Sequence, residues 1–268
     1  VATAPTTAEK SGARGSKGSS DGGPSRPGAR NRRFRAPAPR LLLSALGLAA
    51  VVAGAVWALY GSDWFRVERV KTSGTRVLTP AEVEKAAAVP LGAPLASVDT
   101  DAIEARTRRL LPRIESIEVV RSWPHGIGLE VTERKPVLLI EKGGKFTEVD
   151  TNGVRFATVA TAPRGVPLLV LDAAASPSLR RFGADRLLEE AVRVRGELPA
   201  EVARDARVVR VASYDSITVE LTGGRTVLWG SGEHGPVKAR VLTALMKAAP
   251  KAGHFDVSAP TAPASSGS

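Results

Sequence analysis

The sequence predicts an α+β protein with one membrane-spanning helix, a small βααββ domain after it, and then a mixed α/β domain of hairpins with packed helices. Three observations carry that prediction. Leu41–Tyr60 is a run of twenty residues without a charge. Between Trp64 and Lys135 the apolar spacing changes in the order strand, helix, helix, strand, strand. From Pro136 onward, paired glycines and Asn-Gly punctuate short apolar runs, as hairpins require.

The 268 residues carry a formal net charge of +11, which by itself would suggest a nucleic-acid binder. Its distribution argues otherwise. Residues 1–40 hold nine basic and two acidic side chains, residues 61–134 eleven of each, and residues 135–268 eighteen against fourteen. The excess therefore sits in a tail rich in Gly, Ser, Ala, Pro and Arg. That tail has almost nothing to bury, so residues 1–40 are expected to be a disordered cytoplasmic segment. It has no aromatic interleaving and no helix pattern, and no nucleic-acid partner is expected. A chain that begins at Val1 fits either an alternative start codon or a missing N-terminus.

Residues 41–60 contain six leucines, three valines and Trp57. As a helix they would cover about 30 Å, the hydrocarbon thickness of a bilayer. Trp57 and Tyr60 stand near one end, while Arg30, Arg32, Arg33, Arg35 and Arg40 flank the other. The positive-inside bias then puts the N-terminus in the cytoplasm. Ala53 and Ala55 resemble a signal-cleavage signature but lie inside the apolar run.

The first exported domain is expected over residues 64–135. Phe65, Val67 and Val70 line a short strand, and Gly74 supplies a turn. Thr79 with Glu82 forms a capping box, with Pro80 at the first helical position. Val83, Ala86 and Ala87 line that helix, which ends before Pro90. Asp99 caps a second helix carrying Ile103, Thr107, Leu110 and Leu111, and Pro112 stops it. Ile117–Trp123 reads as a strand. After a turn at His125-Gly126, Ile127, Leu129 and Val131 alternate as a half-buried strand.

The second domain is expected over residues 136–258. Val137–Glu141 and Phe146–Val149 flank Gly143-Gly144, and Asn152-Gly153 gives a further turn. Leu168–Leu171 reads as a short strand within a Pro- and Ala-rich stretch. Leu187, Leu188, Ala191 and Val194 mark a helix from Asp185 to Gly196. Val208–Ala212, Ile217–Leu221 and Thr226–Trp229 read as strands, the last two joined at Gly223-Gly224. Val237, Val241, Leu242, Leu245 and Met246 share a helical face, and Phe255–Val257 is a final strand. Residues 259–268 are expected to be a flexible tail.

The absence of cysteine excludes disulfides, thiolate zinc sites and cysteine nucleophiles. Gly230-x-Gly232-x-x-Gly235 sits between a strand and a helix, the context of a dinucleotide fingerprint. Too few residues follow Asp256 for the further βα units such a sheet needs, so the motif reads as a tight turn. His125, His234 and His254 are far apart, and Ser231 lacks the G-x-S-x-G frame. No catalytic residue, metal site or cofactor is expected.

These residues resemble the bacterial cell division family FtsQ, called DivIB in some lineages. The likeness runs through Phe65-x-Val67-x-x-Val70, Gly74, Thr79-x-x-Glu82-Val83, Ile117-x-Val119, Arg121-x-Trp123-Pro124, Leu129-x-Val131 and Glu133-Arg134-x-Pro136. It continues in Trp229-Gly230-Ser231, Lys238, Leu242 and Phe255-Asp256-Val257, and covers about residues 25–260. Leu138 stands where alanine is common in the family, and Gly126 and Gly128 are unusual inside the third strand. The Arg-, Ala- and Gly-heavy composition suggests a GC-rich, actinobacterial genome.

The resemblance implies a POTRA domain followed by a beta domain. It also implies a non-enzymatic, single-pass type II scaffold of the plasma membrane at the division septum. Implied partners are FtsB- and FtsL-like single-pass proteins, together with FtsW-like and transpeptidase septal synthases. The implied docking segment is Phe255, Asp256, Val257, Ser258, Ala259 and Pro260, with Arg121 a further contact in the first domain. The alternative is a POTRA-bearing envelope assembly or secretion factor. It would be favoured by tandem POTRA units or a barrel series, and neither is visible in the sequence.

Overall fold

The computed structural model describes residues 39–172 and 177–267. The expected tail over residues 1–40 therefore lies, apart from its last two residues, outside the described residues. Helix α1 spans Pro39–Gly61. Its segment Leu42–Gly61 has a mean hydropathy of 2.2 and none of it is buried. The helix is apolar on all sides, and nothing among the described residues covers that surface.

The strand expected from Phe65 begins later, at Arg69. Ser62 caps a 3-10 turn by accepting from the Trp64 N–H, and Arg66 pairs with Asp63 at 2.6 Å. These contacts hold Phe65 in the turn. Val67 is buried, but its backbone pairs with a loop: its N–H donates to the Ala93 carbonyl and its carbonyl accepts from Gly92.

Five elements follow: β1 (Arg69–Ser73), α2 (Pro80–Ala87), α3 (Thr100–Leu110), β2 (Ile114–Ser122) and β3 (Gly126–Glu133). β3 is central, parallel to β1 and antiparallel to β2. The capping box at Thr79 and Glu82 is present, as is the Asp99 cap. Val83, Ile103, Ile127 and Leu129 belong to one buried cluster. Leu110 departs from its expected position at 58% exposed. Residue 110 lies within about 20° of Ile103 around the helix, but it is the last residue of α3, where half-buried Leu111 packs against the core in its place. β3 continues through Gly126 and Gly128, and a Cβ at 128 would meet only ordinary contacts with Val120 among the described residues.

Gly74 is obligatory at its turn. Its φ is +83°, and a Cβ there would lie 2.0 Å from the Val131 carbonyl oxygen. The loop after it is held by Glu133, whose buried carboxylate accepts from the N–H groups of Arg76, Val77 and Leu78.

The remaining elements are β4 (Leu138–Lys142), β5 (Lys145–Val149), β6 (Arg155–Val159), β7 (Leu168–Leu171), α4 (Pro177–Glu197), α5 (Ala200–Asp205), β8 (Ala206–Ser213), β9 (Ser216–Leu221), β10 (Thr226–Gly230), α6 (Gly235–Ala248), β11 (His254–Asp256) and β12 (Ala264–Ser266). They build a nine-stranded mixed sheet in the order β12-β11-β10-β9-β8-β7-β4-β5-β6. The hairpins at Gly143-Gly144 and Asn152-Gly153 are antiparallel as expected, while β7 joins β4 and β8 in parallel. Gly183, at φ 75° and ψ 161°, interrupts α4. Beyond it Leu187, Leu188, Ala191 and Val194 enter the core. Helix α5 had no sequence signal beyond Pro199.

Two expectations are corrected here. On α6, Val237 is 38% exposed while Lys238, one residue on, is 1% exposed. The tail expected over residues 259–268 contains β12, which pairs antiparallel with β11. Its backbone finds partners although its side chains bury nothing.

The first domain meets the second through two ion pairs, each with a half-buried arginine on a buried carboxylate. Arg113 reaches Glu148 at 2.5 Å and lies over the Phe156 ring at 5.2 Å. Arg134 pairs with Asp150, which also accepts from the N–H groups of Asn152 and Val154.

Glu133→Ala leaves three loop N–H groups without their acceptor and should lower the unfolding free energy by about 2–3 kcal/mol. Glu130→Ala, at an exposed neighbouring position, should change it by no more than about 0.5 kcal/mol. Chemical denaturation of the detergent-solubilised protein measures both, and equal effects would contradict the loop-holding role.

Candidate docking edge at the C-terminal strands

The C-terminal edge is built on the turn between β10 and α6. Gly230 has φ +79°, and a Cβ there would stand 2.9 Å from the Ser258 Cβ, so the end of β10 lies against the segment leaving β11. A Cβ on Gly232 would fall 2.3 Å from Glu190 Oε2, and one on Gly235 1.8 Å from Glu197 Oε2. Each glycine of the G-x-G-x-x-G run thus has an intramolecular neighbour that excludes a side chain. The position where a phosphate would meet the start of such a helix is taken by the Glu197 carboxylate, which the helix dipole favours.

Burial sets the charge balance of this turn. Lys238 donates from Nζ to the Ser231 carbonyl at 2.9 Å. Desolvation pushes its pKa down, opposed by Glu197 and Glu233. Burial pushes the Glu197 carboxyl up, Arg193 and Lys238 act the other way, and Glu190 adds to the rise. Glu190 is fully buried, with Arg186 and Arg193 3.6 and 3.5 Å from its Oε1.

The expected docking residues divide by burial. Phe255 and Val257 are at 0% exposure inside the sheet's core, so their side chains are not offered to a partner. Half-buried Asp256 accepts at Oδ1 from the Ser258 N–H and hydroxyl. Ser258 and Ala259 are exposed, and Pro260 is half-buried. β11 has no open edge, because β10 pairs it on one side and β12 on the other. Arg121 lies on β2 in the other sheet. It donates to the Leu95 and Val98 carbonyls at 3.2 and 2.6 Å, tying its strand to the turn before α3.

At this end of the large sheet the open edge is that of β12, whose outer side has no strand partner among the described residues; β6 is the edge at the other end. The Gly253 N–H donates to the Gly267 carbonyl at 3.0 Å. In the register His254↔Ser266, Phe255↔Ser265, Asp256↔Ala264, hydrogen-bonded pairs alternate. The Thr226 N–H donates to the Gly253 carbonyl and the Val257 N–H to the Leu228 carbonyl, so Phe255 turns its backbone groups toward β10, and His254 and Asp256 turn theirs toward β12. Ala264 and Ser266 therefore pair with β11, while Ser265 turns its backbone groups outward. Sequence reasoning missed this strand because Ala264-Ser265-Ser266 has neither apolar alternation nor strand propensity.

Among the described residues no group of three His, Cys, Asp or Glu side chains is placed to hold a metal ion. The three histidines are dispersed: His125 lies 3.9 Å from Glu68, His234 precedes α6, and His254 Nδ1 is 2.7 Å from Thr226 Oγ1.

Residues 65–134 match the POTRA domain of FtsQ type. The cell division protein FtsQ of Streptomyces venezuelae is 78% identical over 100% of both chains. The chain belongs to the FtsQ family of cell division proteins. FtsQ of Streptomyces coelicolor is 61% identical over 98% of this chain and 99% of its own. FtsQ of Mycolicibacterium smegmatis is 33% identical over 76% of this chain and 58% of its own. These relatives are actinobacterial, as the composition suggested. The extracytoplasmic domain of DivIB from Geobacillus stearothermophilus aligns with a TM-score of 0.32 at 20% identity, covering 44% of this chain and 94% of that one.

The residues that carried the FtsQ resemblance prove largely internal. Glu133 and Arg134 hold a loop and the domain junction, Trp229 is fully buried, and Lys238 secures the turn before α6.

Two predictions follow from the glycine turn. Gly232→Ala drives a Cβ into a carboxylate with no route to solvent, whereas Glu197, half-buried, can swing away from Gly235→Ala. Gly232→Ala should therefore cost about 1–3 kcal/mol and exceed Gly235→Ala in the same denaturation assay. Glu197, raised above its usual 4.5, contributes stability that is complete below 4.5 and is lost as pH rises through the folded value. Glu197→Gln lacks this titration, so the wild type should lose thermal stability relative to the variant as pH rises from about 4.5 toward neutrality.

Proposed function

We propose that the protein is a non-enzymatic, single-pass scaffold of the division septum whose C-terminal sheet edge accepts a strand from an FtsB-like partner, with FtsL bound alongside. In this reading α1 crosses the plasma membrane with the N-terminus cytoplasmic, and both folded domains are extracytoplasmic. The scaffold links early septal proteins to FtsW-like and transpeptidase synthases by holding them in one plane, which raises their effective concentration.

The observation that carries this reading is the outward direction of the Ser265 backbone groups on a strand whose other side is already paired. An unpaired strand edge takes a partner's strand through main-chain hydrogen bonds. The segment from Phe255 to Pro260 then acts by building the edge, with Ser258 and Ala259 beside it. Charge reversal at Phe255 or Val257 would disrupt the core rather than test binding.

The test is Ser265→Pro, which deletes the outward donor and leaves the pairing of Ala264 and Ser266 with β11 intact. The variant should fold as the wild type and lose co-purification with an FtsB-like coiled-coil protein. Retention of the partner by a folded Ser265→Pro protein would refute strand addition at this edge.

A further inference from the structure

Apart from α1, few large apolar side chains are strongly exposed, and three of them surround one short piece of backbone. Trp64 is 69% exposed, Leu91 67% and Trp123 50%. All three adjoin the segment 62–68, which leads from α1 into the POTRA domain. Trp64 lies in the 3-10 turn of that segment. Leu91 sits in the loop whose neighbour Gly92 donates to the Val67 carbonyl and accepts from the Arg66 guanidinium. Trp123 packs edge-on against Phe65, with ring centroids 5.5 Å apart, at the end of the β2–β3 hairpin. The hairpin is fixed there, because the His125 carbonyl accepts from the N–H groups of Glu68 and Arg69.

Chain length brings this cluster to the bilayer. Only four peptide steps separate Gly61, the last residue of α1, from Phe65. Fully extended, they span at most about 14 Å. The Phe65 ring, and with it Trp123, therefore stays close to the layer where the apolar helix ends. Tryptophan favours that layer, since its ring is largely apolar and its N–H needs a polar partner. An apolar cluster facing water at this place would be unexplained.

We propose that Trp64, Leu91 and Trp123 form a membrane-surface foot. They seat the end of the POTRA domain in the interfacial layer of the bilayer that α1 crosses. The charges around them are mixed: Asp63 and Glu68 against Arg66 and Arg69, with Arg66 already paired to Asp63. Insertion of apolar side chains is thus the source of attachment, and neutral phosphatidylcholine suffices. The foot fixes the height and tilt of the POTRA domain, and so limits where the rest of the extracytoplasmic region can present its docking edge. This inference rests on the reading of α1 as membrane-spanning.

The test uses the full chain labelled with 5-fluorotryptophan in phosphatidylcholine nanodiscs, some of whose lipids carry a spin label at a shallow acyl position. The four tryptophans give separate fluorine signals, assigned by single Trp→Phe variants. Trp57, within α1, reports whether the helix is in the bilayer. Trp229, buried in the second core, reports a ring out of contact with lipid. The foot predicts that Trp64 and Trp123 lose signal intensity with Trp57 while Trp229 keeps its own. Trp123 keeping its intensity while Trp57 loses it would overturn the foot and leave the anchor standing. Trp57 keeping its intensity would overturn both.

Discussion

The C-terminal edge of the large sheet exists because Phe255 and Val257 are drawn into its core beside β10. Burying side chains of this size is worth about 1.5–3 kcal/mol each, and it fixes β11 in register with Thr226–Leu228. β12 contributes no such burial, since its three side chains are all exposed. Backbone pairing to β11 is what holds it. The outermost strand is consequently the least independently stable part of the sheet, the kind of element that local opening selects first. A partner strand added on its free side would complete a ladder that the chain leaves half made.

Behind that edge lies a set of buried charges that no apolar pattern would predict. α4 sends Glu190 against Gly232 and Glu197 against Gly235 at the start of α6, and Lys238 reaches back to the Ser231 carbonyl. Buried charges of this kind seldom add net stability, but removing one partner leaves the other unpaired and is strongly destabilising. They fix one placement of α6 against α4, and α6 is the connection that delivers the chain from β10 to β11. At the other end, Arg113 with Glu148 and Arg134 with Asp150 join the POTRA domain to the first hairpin of the second domain by the same kind of contact.

Local rules made much of this legible in the sequence. The capping box at Thr79, the Asp99 cap, the stop at Pro112 and the glycine turns depend on neighbouring residues, and each stands where the pattern put it. The first strand started late because the Ser62 cap and the Asp63–Arg66 pair favour a turn over extension. Lys238 could not be read as buried, since its acceptor and its opposing charges come together only through the tertiary fold. The G-x-G-x-x-G run was legible as a turn, but not the carboxylates packed against it. β12 was hidden for a plainer reason: its pairing comes from its backbone, and its side chains carry no signal. The docking segment expected at Phe255–Pro260 was therefore near the edge without being the edge.

The central claim is that the outward backbone groups of β12 receive a partner's strand. Amide hydrogen exchange at Ala264, Ser265 and Ser266, measured with and without the extracytoplasmic part of an FtsB-like partner, tests it most directly. The account predicts that Ala264 and Ser266 are protected in both states and that Ser265 gains protection only in the complex. Unchanged exchange at Ser265 in a saturated complex would contradict it.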